Sequence, residues 1–326
     1  MPTLSIVVPM YNEEESMETF FTRTQRALQT VTQSYEIICV NDGSRDRTLA
    51  QLRARAEQDK RIRVVNLSRN FGKEVALSAG LDHASGDAVI PIDADLQDPP
   101  EIIPLMLAKW RGGAKLVLAK RRDRSTDTWL KRMTAQGAYW AFSKLTHPQI
   151  PRNVGDFRLM DRDVVDAIKR LPERSRFMKG LFAWIGYDAE IVEYDRETRS
   201  AGETKWNYWK LWNFALDGIT SFSSLPLRIW SYLGFGVSFL AMAYLAFILT
   251  KSVAFGLDIP GYASLMSVTL FFNGILLIGV GVIGEYLSRI FTEVKARPLY
   301  IVSERIGFEQ EVQSSIPTSE KRPGFG

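Results

Sequence analysis

Two stretches without a charged side chain constrain this chain of 326 residues more than any other feature. Between Arg228 and Lys251 lie 22 uncharged residues, and between Asp258 and Glu285 lie 26. The first, as an α-helix rising ~1.5 Å per residue, reaches roughly 33 Å and matches a hydrocarbon core of about 30 Å; the second is longer and spans with tilt. A soluble core rarely holds two such runs, so the expected arrangement is a transmembrane hairpin with helices over 229–250 and 259–284. Arg228, Arg289, Lys295 and Arg297 flank its outer ends, whereas the connecting loop carries only Lys251 and Asp258. Basic residues favour the cytoplasmic side, which places both ends of a multi-pass protein there.

The flanks of the hairpin fit that placement. Trp206, Tyr208, Trp209, Trp212, Phe214, Phe222 and Trp230 crowd into one short segment, and such rings favour the membrane interface, so 206–228 reads as an amphipathic juxtamembrane segment. The tail 285–326 is expected in the cytoplasm, with a short strand at Leu299–Val302 and a polar end. The N-terminus lacks the basic start and long apolar run of a secretory signal, which keeps the first domain in the cytoplasm as well.

Residues 1–205 have a different texture. Short β-branched runs at Leu4–Pro9, Tyr35–Val40, Ile62–Leu67, Ala88–Ile92 and Lys115–Ala119 alternate with helical patterns around Met17–Val31, Thr48–Ala56 and Lys73–His83. Further strands are expected near Phe157–Met160 and Glu190–Tyr194, and helices near Arg162–Lys169 and Phe177–Trp184. This is the pattern of an α/β domain with a doubly wound, mostly parallel sheet, whose ligands sit at the carboxyl ends of the strands.

Composition removes several functions. Cys39 is the only cysteine and His83 and His147 the only histidines, so neither an internal disulfide nor a Cys/His metal cluster can form. A formal charge of +4 is too small to argue for nucleic acid. The positive excess is local: 109–132 holds nine basic residues against Asp123 and Asp127. Gly279-Val-Gly281-Val-Ile-Gly284 matches a dinucleotide fingerprint but lies inside an apolar span, where small residues serve helix packing instead.

The chemistry gathers at the expected strand ends. Ile92-Asp93-Ala94-Asp95-Leu96-Gln97-Asp98-Pro99-Pro100 follows the fourth strand. If the strand stays extended, Asp93, Asp95 and Gln97 share one side, and their oxygens suit Mg²⁺ or Mn²⁺ bridging a diphosphate. Turn formation is the competing role for such aspartates, and Asp98 before two prolines reads as a helix start. Pro9-Met10-Tyr11-Asn12-Glu13 follows the first strand and Asn41-Asp42-Gly43-Ser44 the second. Tyr11 suits packing on a base and Asp42 accepting from a base N–H, while Ser44 and Asp46 equally suit helix caps. Ser68-Arg69-Asn70-Phe71-Gly72-Lys73 sets two cations where a diphosphate would lie.

Together, Val-Pro-Met-Tyr-Asn-Glu (8–13), Val-Asn-Asp-Gly-Ser (40–44), Ser-Arg-Asn-Phe-Gly-Lys-Glu (68–74) and Asp-Ala-Asp-Leu-Gln-Asp-Pro-Pro (93–100) resemble family 2 glycosyltransferases of the polyprenyl-phosphate branch. With its two-span hairpin the chain is most similar to the bacterial undecaprenyl-phosphate (bactoprenol) glucosyltransferases, over about residues 3–305. The resemblance implies a GT-A-like nucleotide-sugar domain in a protein of the inner membrane. Carried over, it assigns Pro9, Tyr11, Glu13, Asp42, Lys73 and Asp93 to the nucleotide sugar. Asp93, Asp95 and Gln97 go to the metal, and Asp95 and Asp156 to catalysis. Asp156, in the segment Asn153–Arg158, is either a base or the group that orients the acceptor. The segment Gly202–Trp206 is similar to the family's Gly-Glu-Ser-Lys stretch. Arg121, Arg122, Arg124, Lys131, Arg132 and Lys205 are expected to bind the lipid phosphate.

The expected reaction is inverting transfer of glucose from UDP-glucose to undecaprenyl phosphate, with Mg²⁺ or Mn²⁺, at the cytoplasmic face of the bilayer. The alternatives are another donor, such as GDP-mannose or a UDP-aminoarabinose derivative, and a non-catalytic membrane-anchored sugar-nucleotide-binding subunit. A homo-oligomer, up to a tetramer, is expected, and no nucleic-acid partner.

Overall fold

The computed structural model describes residues 3–122, 154–174, 176–195, 225–255 and 261–308. Its first half alternates β1 (Leu4–Met10), α1 (Met17–Gln29), β2 (Tyr35–Asn41), α2 (Thr48–Gln58), β3 (Ile62–Leu67), α3 (Lys73–His83) and β4 (Ala88–Pro91). A 3₁₀ turn at Pro100–Ile102 then leads into α4 (Ile103–Arg111), β5 (Leu116–Arg121), β6 (Val154–Asp161), α5 (Arg162–Lys169), α6 (Met178–Trp184) and β7 (Ala189–Tyr194). Two long helices, α7 (Leu225–Phe255) and α8 (Tyr262–Lys295), precede a last strand, β8 (Val302–Ile306).

Among the described residues, eight strands form one sheet in the order β7-β5-β6-β4-β1-β2-β3-β8. The pairs β1–β2, β1–β4, β2–β3 and β5–β7 are parallel, whereas β4–β6, β5–β6 and β3–β8 are antiparallel. Both faces are covered, as continuous apolar strands require. On one face Leu4, Ile6 and Val8 of β1 pack with Phe20 and Phe21 of α1, Leu52 of α2 and Met106 of α4. On the other, Val7, Val40 and Val65 pack with Leu77 and Leu81 of α3, Val165 of α5 and Phe182 of α6. Gly80 lets α3 approach closely, because a Cβ there would come within 2.2 Å of Val7 Cγ1.

The insertion of β6 decides where the site forms. Running antiparallel, it brings its first residues to the edge where β4 ends. Its ladder with β4 pairs Ala88 with Asp161 and Val89 with Met160. Continued past Pro91, that register sets position 93 opposite 156.

Three local expectations are corrected. First, β4 stops at Pro91 and the chain turns through 94–98 with Leu96 at φ 58°, so Asp93, Asp95 and Gln97 do not share a side by strand alternation. Second, Asp98 does not cap the following helix: no side chain caps the turn at Pro100–Ile102, and Asp98 is buried beneath other elements. Third, the final strand spans Val302–Ile306 instead of Leu299–Val302 and returns to the edge of the sheet beside β3.

The uncharged runs lie largely in helices of 31 and 34 residues, α7 extending beyond its run at both ends and α8 at its carboxyl end. Trp230, near the start of α7, lies against Gly279, just past the middle of α8. Among the described residues, Ser264–Lys295 is one helix long and apolar enough to cross a membrane, and Ile229–Tyr244 is a shorter apolar helix. Phe235, Phe239, Leu240, Leu276 and Leu277 are exposed on these helices.

Candidate active site

The loops after β1 and β2 are joined by side-chain bonds from sequence-distant partners. The Asn12 amide donates to Ser44 Oγ at 3.0 Å, and Asn12 Oδ1 accepts from the Arg45 amide at 2.9 Å. The Glu13 amide donates to Thr48 Oγ1 at 2.9 Å, while Asp46 accepts from the amides of Thr48 and Glu14. Ser44 and Asp46 therefore brace the loops and the start of α2. The Glu13 carboxylate accepts from Ser16 Oγ at 2.7 Å. Pro9 lies within β1 opposite Val40, and the Tyr11 ring, just beyond the strand, is 43% exposed and open to a flat partner.

Asp42 is buried, and its two carboxylate oxygens accept from the amides of Phe71 at 2.7 Å and Gly72 at 2.9 Å. Burial raises its pKa and the two amides partly offset that. Beside it, Gly43 sits at φ 66°, and a Cβ there would lie 2.5 Å from the backbone at Arg69 and Asn70. These contacts fix the loop that delivers Lys73 to the first position of α3. Arg69, the second predicted cation of that loop, lies over the Phe71 ring at 4.2 Å.

The Lys73 ammonium joins the two edges of the site, donating to Asp93 Oδ2 at 2.7 Å and to Asp156 Oδ2 at 2.8 Å. Surrounding protein opposes its charge, but the two carboxylates prevail and raise its pKa. Burial works on both aspartates with different outcomes. Asp93 is raised, by burial first and by repulsion from Asp156 and Asp95, against the pull of Lys73. Asp156 is lowered despite burial, because Lys73, Lys179 and Arg158 face it. Its second oxygen, Oδ1, is buried without a hydrogen-bond partner among the described residues.

Two neighbours that the sequence reading did not assign complete the cluster. The Glu74 carboxylate accepts from the Met178 amide at 3.0 Å and is pushed up to about 7, by burial first and then by Asp156. Arg158 is buried, lies 3.9 Å over the Phe182 ring and donates to the carbonyl oxygens of Gly155 and Asp156. Burial pulls it down to about 10, which still leaves it charged at neutral pH. Both residues stood in quoted motifs, and the signal available was an ionisable residue beside a predicted site residue.

The Asp95 carboxylate accepts from the Gln97 amide at 3.2 Å within the turn. Asp98, further along, accepts from Tyr194 Oη and from Arg121 Nη2, while Arg121 Nε donates to Tyr194 Oη at 3.0 Å. Arg121 is thus committed to holding the acidic turn against β5 and β7. Arg122 remains 59% exposed, with Glu193 at 3.7 Å and Asp195 at 3.6 Å. Arg124, Lys131, Arg132 and Lys205, and with them most of the expected lipid-phosphate cluster, lie outside the described residues.

Among the described residues no group of three or more Asp, Glu, His or Cys side chains is placed to hold a metal alone. The donors present are Asp93 and Asp95, close enough to repel, with Gln97 in the same turn. Such a partial set suits a cation like Mg²⁺, which characteristically takes one or two carboxylates and completes its shell with substrate phosphates and water.

Comparison with known proteins gives a consistent result. The family model described as glycosyl transferase family 2 matches residues 5–169. A protein of Synechocystis sp. named as an uncharacterized glycosyltransferase is 60% identical over 94% of this chain and 96% of its own. The prophage bactoprenol glucosyl transferase homolog of Escherichia coli is 52% identical over 92% of this chain and 98% of its own. The bactoprenol glucosyl transferase of Shigella phage SfII is 51% identical over 92% and 97%. The crystal structure of glucosyl-3-phosphoglycerate synthase from Mycobacterium tuberculosis with Mn²⁺, uridine diphosphate and phosphoglyceric acid aligns with 22% identity. That alignment has a TM-score of 0.46 and covers 67% of this chain and 76% of the other.

Proposed function

The chain belongs to glycosyl transferase family 2, and from that premise we propose that it moves glucose from UDP-glucose onto undecaprenyl phosphate at the cytoplasmic face of the inner membrane. The observation that carries this reading is the Asp93–Lys73–Asp156 bridge at the carboxyl edge of a doubly wound sheet. The similarity to bactoprenol glucosyl transferases over more than nine-tenths of both chains supports the acceptor. In this reading residues 1–205, together with β8, form the catalytic part, 206–228 lies at the interface, 229–250 and 259–284 span the bilayer, and 285–326 returns to the cytoplasm. Association into a homo-oligomer belongs to the same proposal.

The chemistry follows from the charges. A phosphate monoester is largely dianionic near neutral pH, since its second pKa is about 6, so its oxygen attacks the anomeric carbon without first losing a proton. Asp156, ionised, holds the Lys73 cation in place and through it orients the acceptor for approach opposite the leaving diphosphate. Attack from that side inverts the anomeric centre. Lys73 stands where it can turn from the carboxylates toward the diphosphate and stabilise the charge that develops there. Tyr11 offers its exposed ring to the base. Asp93 and Asp95, with Gln97, are the residues that would hold Mg²⁺ or Mn²⁺, which as a Lewis acid neutralises diphosphate charge.

Incubation of the full chain in vesicles with labelled UDP-glucose, GDP-mannose or a UDP-aminoarabinose derivative, with and without undecaprenyl phosphate and EDTA, tests the reading. Label entering the organic phase from UDP-glucose alone, dependent on the lipid and abolished by EDTA, is expected. Asp95→Ala should remove that transfer while leaving membrane insertion intact. Transfer from a different donor overturns the sugar assignment, and no lipid-dependent transfer from any donor overturns the reaction.

A further inference from the structure

The chain leaving α8 grips the catalytic sheet at two separate places, and both lead to the site. The first grip is at Glu293, in the last turn of α8, whose two carboxylate oxygens accept from the Arg174 amide at 2.8 and 3.1 Å. The Arg174 guanidinium in turn donates to the Arg297 carbonyl. Four residues after Arg174 comes Met178, whose amide is held by Glu74, the neighbour of Lys73. From the same helix α6, Phe182 supports Arg158, which bonds to the carbonyl of Asp156.

The second grip begins where Ala296, at φ 48°, ends α8 in a left-handed turn. Tyr300 Oη then donates to Asp82 Oδ2 at 2.8 Å, at the far end of α3 from Lys73. The Ser68 amide donates to the Ile301 carbonyl at 2.9 Å, and β8 pairs antiparallel with β3 from Leu67↔Val302 to Val64↔Ile306. Arg53 and Glu304 pair at 2.5 Å. The exit segment therefore holds the end of β3 and the end of α3, the two elements on either side of the loop that presents Lys73.

We propose that Glu293 and Tyr300 are positioning residues for transfer to a membrane-embedded acceptor, strapping the Lys73 loop and α6 to the exit of the membrane helix. The proposal rests on the transfer reading above. A phosphate at the bilayer surface reaches the anomeric carbon only if the site is held in fixed register with the helix that enters that bilayer. An acceptor dissolved in water approaches from any direction and needs no such register.

The two acceptor types separate this role from catalysis. The full chain in phosphatidylethanolamine and phosphatidylglycerol vesicles is given labelled UDP-glucose with either undecaprenyl phosphate in the bilayer or a water-soluble two-isoprene phosphate. The double variant Glu293→Ala with Tyr300→Phe is expected to lose about tenfold or more of kcat/KM on the embedded acceptor. On the soluble acceptor it should stay within about twofold of the parent. Glu293→Gln keeps a carbonyl oxygen for the Arg174 amide and should retain both activities. If the double variant melts early, Tyr300→Phe alone replaces it, since it keeps the ring beside His83 and removes only the hydroxyl. Equal losses on the two acceptors, or no loss on either, overturn the strap. A parent protein that transfers to neither acceptor overturns the transfer reading itself, which is a different result.

Discussion

Glu74 offers a test of the site that needs no substrate. It is the second residue of α3, its carboxylate accepts from the Met178 amide, and burial and Asp156 push it from 4.5 up to about 7. A shift of about 2.5 units corresponds to roughly 3 kcal/mol of coupling between proton binding and folding. The sign follows from the raised value. The folded chain holds the proton more tightly than the unfolded one, so the contribution is complete below the unfolded pKa of 4.5 and is lost as pH rises through about 7. Glu74→Gln keeps an oxygen for Met178 and does not titrate in this range. Relative to the parent, the variant should gain stability progressively between about pH 5 and pH 8, by up to ~3 kcal/mol. At about 2–4 °C per kcal/mol for a domain of 150–250 residues, the difference in Tm between the two proteins should widen by roughly 6–12 °C across that interval. Melting curves of the full chain in detergent, followed by circular dichroism, measure it directly. A difference that stays flat with pH would show that Glu74 is ionised in the folded protein and would refute the reasoning.

Three further outcomes are expected. Lys73→Met leaves Asp93 and Asp156 facing each other without their shared cation and should cost about a hundredfold or more in turnover. Its melting temperature is the folding control, and a variant with parental turnover removes Lys73 from the reaction. Gly80→Ala sets a methyl 2.2 Å from Val7 Cγ1 and 3.2 Å from Val40 Cγ2, an overpacking that should destabilise by about 1–3 kcal/mol; an unchanged Tm contradicts the close approach of α3. Tyr194→Phe removes one donor from the buried Asp98 carboxylate and should destabilise by about 1–3 kcal/mol, with a raised KM for the donor as the acidic turn loosens. Parental stability and KM together would mean that Arg121 alone suffices to hold Asp98.

The elements of the α/β domain were legible where short β-branched runs or helical periods mark them. Ile62–Leu67 and Lys73–His83 occur where the pattern places them, because each residue type there answers to a local rule of period or turn chemistry. What failed depended on distant partners or on one backbone angle. The alternation of Asp93, Asp95 and Gln97 was lost because Leu96 adopts a left-handed conformation, which a leucine side chain gives no reason to expect. The depth of Glu74 and Arg158 comes from α6 packing over them, and nothing near either residue announces that helix as its neighbour. The strand at 302–306 begins later than expected, after Tyr300 has bonded to Asp82, a partner more than two hundred residues away in sequence. Asp42 shows the same division: its place at the end of β2 was readable, whereas its bond to the loop at 71–72 required the third strand to be in position.

The charge balance around Lys73 bears on how the proposed reaction proceeds. Apart from Glu74, which titrates near neutrality, the carboxylates of Asp93, Asp95 and Asp156 stand against Lys73, Lys179 and Arg158, three negative groups against three positive ones. A nucleotide diphosphate and a phosphate dianion both bring further negative charge to a site already in balance. Lys73 cannot neutralise both, because each bond it turns toward the diphosphate is withdrawn from Asp93 or Asp156. Arg158 cannot help directly, since it lies beneath Asp156 against Phe182 and is spent on backbone carbonyls. In the proposed reaction a divalent cation, which Asp93 and Asp95 with Gln97 would hold, would supply the positive charge that these side chains lack. The same surroundings account for the raised pKa of Glu74, through burial first and Asp156 second. A fourth full carboxylate charge beside Asp156 would compete for Lys73, and burial against α6 weakens that competitor as pH falls through about 7.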